Sequence, residues 1–160
     1  MLHEEIAYNG LCERGYTDMA DHLDPAARSK MMAKVRCRDT KPELAVRHYL
    51  HARGLRFRLQ RKDLPGKPDL VFPSRQVAVF VHGCFWHQHP GCRRAKRPQT
   101  RAEFWREKLD ANITRDAAAS AALERAGWRT LVIWECEIGD EGLGRLYQDI
   151  LQPSEKLGKG

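Results

Sequence analysis

No apolar run in this 160-residue chain reaches the roughly 18 residues that a membrane-spanning helix needs, and the N-terminus has no secretory h-region. These absences point to a cytoplasmic chain. Internal repeats are absent too, which excludes a solenoid or propeller. The five cysteines, Cys12, Cys37, Cys84, Cys92 and Cys136, are odd in number and come without secretory features, so thiols and metal ligands are expected over a disulfide framework. Acidic residues are the minority charge: 21 Asp and Glu face 28 Lys and Arg, for a formal net charge of +7 and a pI near 9.4. Arginine forks suit phosphate, which makes nucleic acid the leading partner class, with a merely soluble basic surface as the bland alternative. At 18.4 kDa the chain is one domain by length, able to bury roughly two-thirds of its unfolded surface. A bound metal would therefore brace locally and not carry the fold.

Residues 1 to about 23 show no sustained period and read as a mobile extension, and a short tail is expected after residue 152. Order is predicted to begin at Asp24-Pro25, with a short basic helix to Arg36 carrying Met31, Met32 and Val35. Thr40-Lys41-Pro42-Glu43 has the form of a capping box, and the helix it opens should stop at Gly54. Leu55 to Leu59 suits a half-exposed strand. Two β-prone runs, Asp69–Phe72 and Val77–Val81, flank Pro73-Ser74-Arg75-Gln76 and predict a hairpin whose second strand is central. Thr100-Arg101-Ala102-Glu103 predicts a long helix to Ala126, Trp128–Trp134 a further central strand, and Glu141 to Leu151 a last polar helix. This order implies an α/β domain of three layers with a mixed central sheet flanked by helices.

The chemistry concentrates in His82-Gly83-Cys84-Phe85-Trp86-His87-Gln88-His89-Pro90-Gly91-Cys92. Cys84, His89 and Cys92, spaced five and three apart, can wrap one ion, and Cys136 at the end of a neighbouring strand would complete a closed Cys3His set. Closed four-ligand sets describe structural Zn²⁺; buried free thiols are the alternative. Asp69 stands where a carboxylate can hold Mg²⁺ beside a scissile phosphate. Its Pro-Asp setting resembles half of a nuclease core, but Phe80-Val81-His82 occupies the place of the expected acidic residue and lysine. His82 and His87 are candidates to orient or deprotonate water. Phe85 and Trp86, on a short loop where burying both looks awkward, suit a wedge between base pairs. Met32 and Glu43 read first as core and capping residues. Trp105, Trp128 and Trp134 read as core.

Pro65-Gly66-Lys67-Pro68-Asp69, the run from Val79 to His87, Thr100 to Trp105 and Trp134-Glu135-Cys136 together resemble the very short patch repair (Vsr) mismatch endonucleases over about residues 24–138. The resemblance implies a restriction-endonuclease-like fold and an Mg²⁺-dependent nick 5′ to the thymine of a T·G mismatch in double-stranded DNA, the lesion left by deaminated 5-methylcytosine, with a structural Zn²⁺. It implies that Asp69 holds Mg²⁺ together with the backbone carbonyl of Val81, and that His82, His87 and Glu43 take part in catalysis. Cys84, His89, Cys92 and Cys136 would hold zinc. Phe85, Trp86 and His87 would insert beside the mismatch, with Met32 from the opposite groove. It also implies a nucleoid-associated bacterial monomer linked to a cytosine-5 methyltransferase and mismatch-repair proteins. Two departures stand out: Val81 where the best-known member of that family has threonine, and a ligand loop one residue longer through Pro90-Gly91. Met19-Ala20-Asp21 resembles a family start, so the residues before it are expected to be an upstream extension. A relaxed or sequence-specific nicking nuclease and a non-catalytic zinc-containing nucleic-acid-binding module remain the alternatives.

Overall fold

A hairpin of two short strands organises the domain. The computed structural model describes residues 39–59, 61–99 and 101–153. The expected basic helix with Met32, the two terminal segments and Thr100 of the second capping box lie outside them.

Strand β1 (Arg58–Leu59) pairs antiparallel with β2 (Leu70–Phe72), and β2 pairs antiparallel with β3 (Val77–His82) in the register Leu70↔Val79 and Phe72↔Val77. The link Pro73–Arg75 is a single 3₁₀ turn closed by Gln76 in the left-handed region, which is the predicted hairpin. β4 (Arg129–Trp134) runs parallel to β3 from Val77↔Arg129 to His82↔Trp134, so the sheet is mixed, in the order β1-β2-β3-β4. β3 is central as expected. β4 is not: it is an edge strand among the described residues, with Val132 exposed, and its apolar sequence reflects packing of Leu131 and Ile133 on one face. The Leu55–Leu59 strand is also shorter than expected, because Leu55 and Phe57 turn into the core and leave two residues to pair.

Among the described residues, three α-helices cover the sheet. Thr40 caps α1 (Lys41–Ala52) by accepting from the Glu43 amide at 3.4 Å, Pro42 sits in the first turn, and Gly54 takes φ +82° just past the end. α2 (Ala102–Arg125) ends at Gly127, and α3 (Asp140–Leu151) follows a 3₁₀ turn at Glu135–Glu137. Val46 and Leu50 of α1 and Leu143, Leu146 and Ile150 of α3 pack with Leu70, Phe72, Val77 and Val79 on one face. Leu123 of α2 packs with Val71, Ala78 and Phe80 on the other. The two sets alternate along β2 and β3 as a pleated strand requires, which gives the predicted three-layer, restriction-endonuclease-like α/β fold. The last helix is more amphipathic than its predicted polar character, and Arg129 closes its end by donating to the carbonyls of Asp149 (2.7 Å) and Gln152 (3.0 Å).

The loop before Asp69 lies hard against α2. A Cβ at Gly66 would stand 2.6 Å from Ala119 Cβ and 3.2 Å from the Phe80 ring, and its φ of +70° also favours glycine. That close approach brings Asp69 beside the end of β3.

Candidate active site and Cys/His metal cluster

β3 and β4 end side by side at His82 and Trp134, and both sites grow from that shared edge. After Gly83 the chain makes one tight helical turn: the His87 amide donates to Gly83 O at 3.1 Å and the His89 amide to Cys84 O at 2.9 Å. This turn sends successive side chains to different places.

Cys84, His89, Cys92 and Cys136 converge, with their ligand atoms all within 4.8 Å of one another. His89 Nδ1 lies 3.6 Å from Cys84 Sγ and 3.3 Å from Cys136 Sγ. A tetrahedral ion with metal–sulfur and metal–nitrogen bonds of about 2.3 and 2.0 Å would separate such atoms by roughly 3.6 Å, so the donor set fits a metal ion. The longer loop through Pro90-Gly91 still closes, with Gly91 taking φ +72°. The His89 ring stacks on Trp134 at 4.2 Å and 6°, which fixes its orientation. Glu135 accepts from the Cys84 amide at 3.3 Å and ties the two ligand-bearing segments together. Burial pushes the Cys84 thiol well above its usual pKa, a cost that a bound cation would offset by holding the thiolate.

The second cluster is assembled from four segments of the chain. The rings of His82 and His87 stack at 3.9 Å, 8° from parallel, and His87 Nδ1 lies 2.5 Å from Asp116 Oδ2 on α2. Ligand atoms of these three residues also lie within 4.8 Å of one another. Burial, with the neighbouring His87 adding to it, pushes His82 down to about 3, so its imidazole is neutral at physiological pH. Asp69 is half-buried and accepts from the Val81 amide at 2.7 Å. Desolvation pushes its carboxyl up to about 7 against that hydrogen bond, and Glu43 adds to the rise while His87 and Arg47 oppose it. Glu43 is buried at the start of α1. Its carboxylate accepts from Arg47 Nη2 (2.7 Å), the Thr40 hydroxyl (3.0 Å) and the Asp39 amide (3.2 Å), so its capping role is fully formed. Arg47 also pairs with Asp39.

The expectation that Phe85 and Trp86 would stay exposed is wrong. They are 7 % and 2 % exposed, because α2 supplies Trp105 as a third aromatic wall, with ring centroids 4.9 to 6.0 Å apart. Trp105 is core as predicted, while Trp128 and Trp134 are half-buried. Asp116, Arg47 and Asn112 are missing from the sequence reading. Asn112 donates to the Trp86 carbonyl at 3.1 Å one helical turn before Asp116 holds His87. The signal was available: both interrupt the inner stripe Trp105, Leu109, Leu123 of α2 with polar side chains.

A mixed α/β sheet that brings a stacked histidine pair, a carboxylate on His87 and a Cys/His set fit for a metal ion to the end of one central strand has the make-up of a hydrolytic nuclease centre. Comparison with known proteins is specific. Residues 20–94 match the family model for DNA mismatch endonuclease Vsr. The chain is 52% identical over 137 residues to "Type II nicking enzyme V.XorIIP" of Xanthomonas oryzae pv. oryzae, covering 85% of this chain and 100% of that one. It is 45% identical over 120 residues to "DNA mismatch endonuclease Vsr" of Escherichia coli, covering 75% and 76%, and 38% identical over 137 residues to "Type II nicking enzyme V.NmeAIP" of Neisseria meningitidis, covering 82% and 97%. The chain belongs to the Vsr family and is a DNA endonuclease. No helix among the described residues is long and apolar enough to cross a membrane.

Proposed function

We propose that this endonuclease nicks one strand of double-stranded DNA, 5′ to the thymine of a T·G mismatch, by Mg²⁺-dependent hydrolysis. The observation that carries the reading is Asp69: a largely desolvated carboxylate, fixed by the Val81 amide and within the electrostatic reach of His87, which itself stacks on His82. Its oxygen, with the carbonyl of Val81 on the same peptide segment, suits a hard cation that keeps most of its waters. Bound there, Mg²⁺ would neutralise the charge that develops on the phosphate. The chain's own groups would divide the proton work. His82, held neutral by burial, has a lone pair to take a proton from the attacking water. His87, oriented through Nδ1 by Asp116, turns Nε2 toward the departing oxygen. Glu43 would act on Asp69 through charge, since its own oxygens are occupied by Arg47, Thr40 and Asp39.

The Cys84, His89, Cys92 and Cys136 set would hold a structural Zn²⁺, as its closed thiolate-rich donor set and near-tetrahedral spacing favour. Phe85 and Trp86, with His87 beside them and Met32 from the opposite groove, would serve as the wedge at the mismatch. Because the two aromatics are buried, insertion would draw them out of their contact with Trp105. A mismatched step is the one that costs least to open, by a few kcal/mol, so that expenditure favours T·G over paired DNA. Partner links to a cytosine-5 methyltransferase, to mismatch-repair proteins and to the nucleoid, and a monomeric state, belong to this same proposal.

The test is Asp69→Ala. It should retain binding to a T·G duplex within a few-fold and lose Mg²⁺-dependent nicking; retained nicking would remove Asp69 from the chemistry.

A further inference from the structure

We propose that Gln88 is a positioning residue for the turn that carries His87, braced from outside by Arg97 and Asp110. The His89 amide bonds back to Cys84 O, a six-residue closure, and Gln88 takes φ +52° at the position where such turns usually place glycine. Gln88 compensates with its side chain. Its Nε2 donates to the Phe85 carbonyl at 2.6 Å, the acceptor that this closure leaves over.

The amide is not free to flip. Its Oε1 accepts from Arg97 Nε at 2.7 Å, and Arg97 Nη2 is in turn held by Asp110 on α2 at 2.6 Å. A chain of three side chains therefore runs from the rigid helix to the backbone of the turn. Asn112, from the same helix, holds the next carbonyl, Trp86 O. Phe85 O and Trp86 O lie immediately before His87, so both points that aim His87 at Asp116 and stack it on His82 are fixed by amides. A glycine would permit the turn without the brace. Glutamine permits it less readily and supplies the brace, which is the reason to assign the side chain a role.

The inference rests on the reading of His82 and His87 as the reacting groups. Gln88→Gly separates backbone strain from side-chain loss, because glycine accepts the left-handed conformation. In the protein carrying its Cys/His-bound metal, this variant should keep the metal and a near-normal unfolding temperature. Hydrogen exchange at the His87 and His89 amides should quicken about 10-fold or more. Single-turnover nicking of a saturating T·G duplex should fall about 10- to 100-fold, with binding within about 3-fold, the scale expected when a reacting group is displaced by an ångström or less. Gln88→Glu, which can still accept from Arg97 but cannot donate to Phe85 O, should behave like Gln88→Gly. The double variant Gln88→Gly/Arg97→Ala should be no worse than Gln88→Gly alone, since Arg97 acts only through the amide. Unchanged exchange overturns the proposal, as does an Arg97 effect that multiplies with that of Gln88. Faster exchange with unchanged nicking rate overturns it too. A wild-type protein that nicks no duplex would sink the functional reading, while the exchange result still decides on the brace.

Discussion

The two clusters at the end of β3 are built in opposite ways. The Cys/His set takes three of its four ligands from nine consecutive residues and only Cys136 from elsewhere. The His/carboxylate set takes Asp69 from the loop before β2, His82 from β3, His87 from the turn and Asp116 from α2, with Glu43 acting on it from α1. Soft donors for a structural ion need only a local turn, because the ion itself enforces the geometry. Groups that move protons must instead be held by the fold before anything binds. The clusters share the turn that carries Cys84, His87 and His89, and Trp134 touches both, stacking on His89 and lying edge-on to His82 at 5.3 Å.

Breaking the local cluster should do the most damage, because it removes the turn on which the other depends. Cys84→Ala is expected to lose the bound ion, lower the unfolding temperature and reduce nicking by more than about 10²-fold together, since His87 is displaced with the turn. Metal analysis, a thermal melt and a nicking assay on one preparation check this. Untouched folding and nicking would show that the ion braces nothing.

Asp116→Asn cuts the other way. It should leave the Cys/His ion and the melt nearly unchanged and slow nicking by about 10- to 10²-fold, because an amide orients His87 but does not stabilise its charged form. Loss of the metal in this variant would mean that the two clusters are one structural unit.

The last prediction sets activity aside and is a stability effect with a definite sign. Asp69 has a folded pKa raised from 3.8 to about 7, so between those values the folded chain holds a proton that the unfolded chain has released. Stability of the protein without divalent cation therefore falls as pH rises from about 4 to 7, and the cost is fully present above 7. Asp69→Asn removes it. The span, at about 1.4 kcal/mol per pH unit, bounds the gain at about 4 kcal/mol. Melts should show the variant more stable than the parent at pH 8 and equal to it near pH 4. An equal melt at both would mean that Asp69 is better solvated than its setting implies.

The same contrast explains what could be read without coordinates. The hairpin Leu70–His82 and the cap at Thr40 are local patterns, and each forms as predicted; Cys84, His89 and Cys92 are local too, and the fold brings them together with the distant Cys136. Asp116 carries only a weak signal, a polar break in the inner stripe of α2, and on a long, charge-rich helix it looks solvated until the partner across the layer is known. Arg47 has no local signature, its buried cation being held by buried Glu43 and by exposed Asp39. Phe85 and Trp86 look exposed in the sequence because loop aromatics are covered only by a tertiary neighbour, here Trp105, whose apposition has no local signature. β4 reads as central because its apolar residues are needed on one face, and periodicity does not report which strand ends the sheet.

The central claim is that these clusters serve a mismatch-directed nick. Its most direct measurement is strand-resolved cleavage of matched duplexes, identical except for T·G against T·A, with and without Mg²⁺ and in several flanking sequences. The account predicts one Mg²⁺-dependent nick, 5′ to the mispaired thymine and on that strand alone. Equal cleavage of the T·A duplex, or cleavage of both strands, would contradict it.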